Sequence, residues 1–170
     1  MNSKDKTAHA LVAAALSLGI SGCDAPRHQP GQAAPLTPQE SRAQVVDSAR
    51  ALATTLNLHV SEAYFWRSSC NDHGEGPFRG RLVIRYPRAG SSEESQDQIT
   101  GMLDRLRGAG WTGDPEFTSH APTLTKDDVV VVFSPQAVGL PMRSIEVLGE
   151  CRDITTTKQT RGTEESVSLN

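Results

Sequence analysis

One short turn of the chain carries three side chains with the chemistry of a hydrolytic or metal site. Asp72, His73 and Glu75 lie within the polar stretch NDHGEGP, and such residues serve as general acids, general bases and metal ligands. A polar turn beside a cysteine has the same composition, and residues this close in sequence hold one ion only when distant ligands join them. The chain contains no GxSxG, phosphate-loop, HExxH or EF-hand pattern. We therefore predict no catalytic residues, no metal and no cofactor.

The beginning of the chain combines positive charge, an apolar run and a cysteine. Lys4 and Lys6 precede the apolar residues 10–20, a run too short to cross a bilayer as a helix. The run ends in ISGC, which resembles the bacterial lipobox: an aliphatic residue, two small residues and the cysteine that receives diacylglycerol. We predict a signal peptide over residues 1–22, a lipid anchor on Cys23, and export to the outer side of the cell membrane. The alternative is an ordinary secretory signal cut further along.

The two other cysteines, Cys70 and Cys151, are predicted to form a disulfide. Exported proteins fold where disulfides persist, and neither cysteine has the CxxC spacing of a redox pair or the spacing of a zinc site. The alternatives are nevertheless a redox-active pair or a metal site. Closing the 81-residue separation stabilises the fold by about 4 to 5 kcal/mol if loop entropy alone is counted.

Arginines and aromatic residues mark a possible contact surface. Arg79, Arg81 and Arg85 share one face of a predicted strand and are candidates for contact with an anionic partner, such as a lipid headgroup or an acidic polymer. The alternative is a ladder of ion pairs with Glu146 and Glu150. The consecutive residues Tyr64, Phe65 and Trp66 cannot all face one core, so at least one ring marks a contact surface or lies beneath the tail or a loop.

Two helices are predicted from capping boxes and apolar stripes. Thr37 to Glu40 reads TPQE, an N-terminal capping box with proline at the first helical position. Ser91 to Glu94 begins the second helix, which stops at Gly108 or Gly110. Residues at three- and four-residue spacing form the apolar sides: Val45, Val46, Ala49, Leu52, Ala53 and Leu56 in the first helix, and Ile99, Met102, Leu103 and Leu106 in the second.

Five strands are predicted from alternation and from β-branched residues, over residues 60–69, 79–86, 123–125, 129–133 and 143–151. A weak strand is possible at 116–119. The run VVVVF at 129–133 is apolar on both faces, which predicts a central strand. The order α-β-β-α-β-β-β predicts an α+β two-layer sandwich: a largely antiparallel sheet of about five strands with both helices on one face.

Composition and charge limit the domain organisation and the partners. The chain has 170 residues, of which 36% are hydrophobic and 22% charged, as expected for one folded domain with tails. Residues 23–36 are predicted as a lipidated cysteine and flexible spacer, 37–152 as a single domain and 153–170 as a disordered tail. The formal net charge of −3 offers no footprint for nucleic acid.

This arrangement resembles the small lipoproteins of mycobacteria and related actinobacteria, with the LppA-like group nearest. The elements that carry the resemblance are ISGC ending at Cys23, the strand that ends in Cys70, a second helix that ends in Gly-Trp, and VLGEC ending at Cys151. The resemblance implies envelope anchoring and a disulfide-linked α+β domain. It carries no established activity.

The leading functional hypothesis is a membrane-anchored, non-catalytic interaction or accessory module of the cell envelope. It is attached to the membrane through lipid on Cys23, and its partner is an envelope protein or a lipid. One alternative is a carrier of a lipid or small apolar ligand held between the helices and the sheet. The other is an envelope hydrolase that uses the turn after Cys70.

Overall fold

The computed structural model describes residues 33–113 and 119–169. The predicted signal peptide, the predicted lipid site at Cys23 and the spacer up to residue 32 lie outside the described residues. So does most of the weak strand at 116–119, and its last residue, Ser119, is not in a strand. No helix in the described part of the chain is long and apolar enough to cross a membrane.

Helix α1 spans Pro38–Leu56 and begins at the predicted capping box. The Glu40 backbone N–H donates to the Thr37 hydroxyl at 3.2 Å, and the Thr37 N–H donates to the Glu40 carboxylate at 2.8 Å. Its predicted apolar stripe is buried. The helix ends at Asn57, whose left-handed conformation, with φ of 48°, turns the chain toward the sheet.

Helix α2 spans Ser92–Gly108 and has the predicted N-cap, Ser91, but the predicted capping box is incomplete because the Glu94 carboxylate accepts from the Gly90 N–H at 2.8 Å. The Ser91 hydroxyl accepts a hydrogen bond from the Glu94 N–H at 3.0 Å. Its apolar side is buried in the same core as that of α1. The last turn closes at Ala109, whose N–H donates to the Arg105 carbonyl at 3.1 Å.

One antiparallel sheet of six strands, in the order β3-β4-β5-β2-β1-β6, packs against both helices. Five strands correspond to those predicted, and β6 is additional. β5 stops at Leu148 because Gly149 and Glu150 turn toward α1, where the Glu150 N–H donates to Gln44 Oε1 at 3.0 Å. The strands are β1 Glu62–Ser69, β2 Phe78–Pro87, β3 Thr123–Lys126, β4 Val129–Phe133, β5 Met142–Leu148 and β6 Glu165–Ser166.

The core lies between the helices and one face of the sheet. Alternate residues of strands β1 to β5 point into it, as the period of two requires, whereas both residues of β6 are exposed. β4 lies between β3 and β5, so its position agrees with the predicted central strand. The largest fully buried side chains include Phe65, Phe133, Leu52, Leu82, Ile84, Ile99 and Ile145.

Helix α1 contacts the sheet most closely at two glycines, Gly80 of β2 and Gly149 just after β5. The Gly149 N–H donates to the Gly80 carbonyl at 3.0 Å, and the Gly80 N–H donates to the buried Ser41 hydroxyl at 2.8 Å. A Cβ on Gly80 would clash with the Ser41 carbonyl oxygen, and one on Gly149 would lie 2.7 Å from Gln44 Oε1. The helix therefore packs directly against the backbone of the sheet at this point, with no side chain between them.

The segment after residue 152 differs from the disordered tail predicted for it. β6 pairs with the edge of β1, and the Leu169 side chain is buried in the core. The Glu165 carboxylate also contacts Arg42 of α1 at 2.6 Å. These attachments are backbone hydrogen bonds and single side chains, so they leave no apolar periodicity in the sequence.

Asp153 begins this segment and is completely buried. Its backbone pairs with that of Phe78, and its carboxylate accepts hydrogen bonds from the N–H and hydroxyl groups of both Thr155 and Thr156. Burial by itself would raise the pKa of Asp153, but the hydrogen bonds from Thr156 and Thr155 outweigh burial and lower the pKa below its ordinary value.

The chain enters the domain beside Arg152. The Leu36 N–H donates to the Arg152 carbonyl at 3.0 Å, and Arg152 Nε donates to the Ala34 carbonyl at 2.9 Å. The last residues of the predicted spacer are thus fixed to the chain next to Cys151.

Replacing Gly80 by alanine should lower the free energy of unfolding by about 1 to 3 kcal/mol, because the added methyl group forces α1 away from the sheet. Gly101→Ala is the matched control. Gly101 is exposed in the middle of α2, and a Cβ there meets nothing within 4 Å, so this variant should be as stable as the parent or up to about 1 kcal/mol more stable. Urea denaturation measures both, and equal effects would contradict the close contact.

Replacing Asp153 by asparagine should cost about 1 to 3 kcal/mol at neutral pH, because charge-assisted hydrogen bonds to the two threonines are lost. The lowered pKa of the folded state means that the contribution of Asp153 is fully present above pH about 4 and disappears as the pH falls through the folded pKa. Unfolding measured as a function of acid pH should therefore show a shallower pH dependence in Asp153→Asn. Asp127→Asn, in an exposed turn, should keep the parent profile.

Candidate functional site

The sheet face opposite the helices is the first candidate site, and we call it the open face. Leu82, Ile84 and Tyr86 of β2 point into the core, so the residues between them point outward. This agrees with the side predicted for the three arginines. The open face consists of Glu62, Tyr64, Trp66, Arg79, Arg81, Val83, Arg85, Ser144, Glu146 and Leu148, which lie on β1, β2 and β5.

Two of the three consecutive aromatic residues lie on the open face. Phe65 is buried in the core, whereas Tyr64 and Trp66 are partly exposed on the other side of β1. The Arg81 guanidinium carbon lies 5.0 Å from the Trp66 ring centroid, and that of Arg85 lies 5.4 Å from the Tyr64 centroid. These are cation–π distances, so each ring is held against an arginine of the neighbouring strand.

The same two arginines are paired with carboxylates. Arg81 forms an ion pair with Glu146 of β5, and Arg85 Nη1 lies 3.3 Å from Glu62 Oε2 of β1. In the register of the sheet Glu146 is opposite Val83, so Arg81 reaches it diagonally. The expected cross-strand ion pair with Glu146 is therefore present, and the second ion pair of the ladder is formed by Glu62 with Arg85.

Glu150, the other carboxylate considered for this ladder, is directed elsewhere. It lies beyond the end of β5, where its carboxylate accepts from Gln44 Nε2 at 2.8 Å and from Arg152 Nη1 at 2.6 Å. The early end of β5 explains the difference, because residues after Leu148 no longer follow the alternation of the strand.

Arg79 is the surplus cation of the open face. Within the described residues no carboxylate oxygen lies within 4.0 Å of its guanidinium. Burial and the neighbouring charge of Arg81 lower the pKa of Arg79, although an arginine remains protonated at neutral pH. The open face thus has three arginines against two glutamates, and Arg79 is the arginine without a carboxylate partner among the described residues.

The two cysteines predicted to pair are brought together at the end of the sheet. Cys70 follows β1 and Cys151 lies shortly after β5, with their Cα atoms 6.0 Å apart. That separation is the one found across disulfides. The Cys70 N–H also donates to the Pro77 carbonyl at 3.0 Å, which closes the intervening turn.

The turn after Cys70 does not bring its three candidate side chains together. Asp72 and His73 are exposed, and the Glu75 carboxylate lies 2.9 Å from Lys158 Nζ. Asn71 organises the turn, because its side chain accepts from the His73 and Glu75 N–H groups. Across residues 33–113 and 119–169, no three His, Cys, Asp or Glu side chains are grouped to hold a metal ion.

Glu62 is the open-face residue that the sequence reasoning missed. The available signal was the spacing of Glu62, Tyr64 and Trp66, which places all three on one side of a strand. Arg81 and Arg85 have the corresponding spacing on the next strand. If the two segments are paired as antiparallel strands, these patterns together predict that Glu62 and the two rings lie beside Arg81 and Arg85.

The fold defines a small α+β domain with Cys70 and Cys151 brought together at one end of its sheet, and comparisons with known proteins identify the family. The family described as "Putative lipoprotein LppJ" matches residues 37–170. The chain belongs to the LppJ family. Its matched region includes the segment after residue 152, which the structure also places on the domain.

Curated relatives come from two mycobacterial species. The proteins called "Putative lipoprotein LppJ" of Mycobacterium bovis and of Mycobacterium tuberculosis H37Rv are each 29% identical over 162 residues, covering 88% of this chain and 84% of the relative. The resemblance to small actinobacterial lipoproteins is confirmed, and the family shown is LppJ, where the sequence pointed to the LppA-like group as nearest. No solved structure matches this chain.

Proposed function

We propose that this protein is exported, is anchored by lipid on Cys23 to the outer side of the cell membrane, and acts there as a non-catalytic interaction module. The lipobox ending at Cys23 and membership of a lipoprotein family support the anchor. In this proposal a disulfide between Cys70 and Cys151 stabilises the exported domain, and their proximity supports the bond. The partner is an envelope protein with an acidic patch.

The composition of the open face is the main observation that supports the proposed interaction. Tyrosine, tryptophan and arginine are the residues most enriched at protein interfaces and at their energetic centres. Tyr64 and Trp66 are held by Arg85 and Arg81, so binding would order these side chains at little further entropic cost. Arg79 adds a positive charge without a carboxylate partner among the described residues.

The charges of the open face favour a protein over an anionic lipid surface as its partner. Glu62 and Glu146 lie among the arginines, and both would be repelled by the negative headgroups of a membrane. A protein surface can place an acid opposite Arg79 and other groups opposite the glutamates. Mixed charge of this kind favours a specific protein contact.

Neither alternative function gains a specific observation in the described core or in the turn after Cys70. A carrier of a lipid or small apolar ligand held in the core would need space there, whereas large side chains such as Phe65, Phe133 and Leu52 are fully buried. A hydrolase at the turn after Cys70 would need Asp72, His73 and Glu75 to converge, and they do not.

The mass of the full-length protein tests the anchor and the disulfide together. Made in a bacterium that processes lipoproteins, it should lack residues 1–22, carry added acyl chains, and weigh two hydrogens less than the reduced form. The Cys23→Ser variant should remain unlipidated, because the thiol that receives the lipid is absent. An unlipidated parent protein would contradict the anchor, and two thiols that react with an alkylating reagent before reduction would contradict the disulfide.

Crosslinking in the native host tests the open face. A photo-reactive phenylalanine analogue at Tyr64 should form one defined crosslinked protein species, and Arg79→Glu should abolish it because an acidic partner is then repelled. Thr100, exposed on α2, provides the control position for the crosslinker, and Arg107→Glu on the same helix is the control for charge reversal. A crosslink that survives Arg79→Glu, or that joins only lipid, would overturn the proposed partner.

A further inference from the structure

A second candidate site lies at the end of the domain where α1 stops. It is a cleft of about 440 Å³ between the C-terminal end of α1, the middle of α2, and the adjoining ends of β2 and β5. This volume is in the range of small-molecule sites. Its lining includes Leu56, His59, Tyr86, Met102, Arg105 and Arg143.

Arg143 is a buried cation in the wall of this cleft. Only 7% of the residue is exposed, because it lies on the core side of β5. Its Nε donates to the Pro87 carbonyl at 2.9 Å, its Nη2 donates to Gln98 Oε1 at 2.7 Å, and its guanidinium carbon lies 4.5 Å from the Tyr86 ring centroid. All three contacts are to uncharged groups.

The charge of Arg143 therefore has no counter-charge in the described part of the chain. No carboxylate oxygen lies within 4.0 Å of its guanidinium among residues 33–113 and 119–169. A buried charge without a partner is unfavourable, and natural proteins usually pair such groups. The missing partner has to be negative.

Two buried polar atoms in the same wall also have no hydrogen-bond partner among the described residues: Nη1 of Arg143 and the hydroxyl of Tyr86. Tyr86 itself is only 2% exposed. One group donates and the other can donate, so a single acceptor placed between them would satisfy both. An oxyanion is the acceptor that also supplies the missing charge.

The remaining lining contains one further cation, Arg105, together with neutral polar and apolar residues. Arg105 and His59 lie at the exposed rim, and none of the aspartates and glutamates that the structure describes lines the cleft. Leu56 and Met102 contribute apolar side chains. The lining thus combines attraction for an anion with a surface for a short hydrocarbon portion.

We propose that this cleft binds a small organic anion, with its carboxylate or phosphate group against Arg143 and Tyr86 and its apolar part against Leu56 and Met102. Because Nη1 of Arg143 and the Tyr86 hydroxyl are both buried, binding requires a small movement of the side chains that cover them. The site is independent of the open face, which lies on the other side of the sheet.

Ligand-dependent thermal stability of the full-length protein in neutral detergent tests the chemistry. At constant ionic strength, butyrate or butyl phosphate should raise the Tm followed by circular dichroism, since a ligand that binds the folded state stabilises it. Butanol, which has the same hydrocarbon portion without charge, should have no such effect. The anion that raises the Tm more shows whether the site prefers a carboxylate or a phosphate group. No shift with either anion, or an equal shift with butanol, would overturn the proposal.

Two kinds of variant test the location. Arg143→Met should raise the apparent Kd about tenfold or more, because a charge-assisted hydrogen bond is lost. Gly101→Trp fills the cleft from α2 without removing any contact, so it tests the site even if Arg143→Met unfolds. Gly101→Trp should fold and lose the response to the anion, while Gly101→Ala keeps it. Parent-like binding by Gly101→Trp would overturn the site, and crosslinking from Tyr64 should be unchanged in this variant.

Discussion

The contact between α1 and the backbone at Gly80 and Gly149 is the constraint on which the other features depend. The two glycines are joined across β2 and β5 by a hydrogen bond, and Val45 of the helix lies against both. Because no side chain separates helix from sheet there, the core side of β2 is fixed, and the period of two then assigns every arginine of the strand to the opposite face. The same contact sets the direction of α1, and hence the place where its far end meets α2.

The two candidate sites differ in how their arginines are compensated. On the open face Arg81 and Arg85 each have a carboxylate and an aromatic ring, so most of their interactions are satisfied within the domain. A surface of that kind is ordered before it meets a partner. In the cleft Arg143 has an aromatic ring and two neutral acceptors but no acid within the described residues. The open face is therefore suited to contact a complementary surface, whereas the cleft is suited to bind an anion that supplies the missing counter-charge of Arg143.

Local signals in the sequence were sufficient to predict the two helices, five of the strands and the side of the sheet on which the arginines lie. Capping boxes and alternation are read within a few residues, which is why Thr37, Ser91 and the β2 pattern were informative. β6 could not be read in this way, because a strand of only two residues is defined by the partner it pairs with. Arg143 left a weak signal: it has the same parity as Ile145 and Val147, so the strand pattern places a charge on the core face. The cleft around it depends on where α1 and α2 end in space, which no local pattern encodes.

The attachment of Ala34 and Leu36 to Arg152 makes the two ends of the domain different, because the chain enters at one end and the cleft lies at the other. We call these ends its poles. The chain enters next to Cys151, beside the beginning of α1, whereas the cleft lies at the end of that helix, about 28 Å away for 19 residues. The anchor proposed at Cys23 precedes Ala34 by eleven positions in the chain, so a lipid there would be attached to the domain through the pole next to Cys151. The cleft would then lie at the pole that carries no attachment, which leaves its mouth open to diffusing solutes of the envelope.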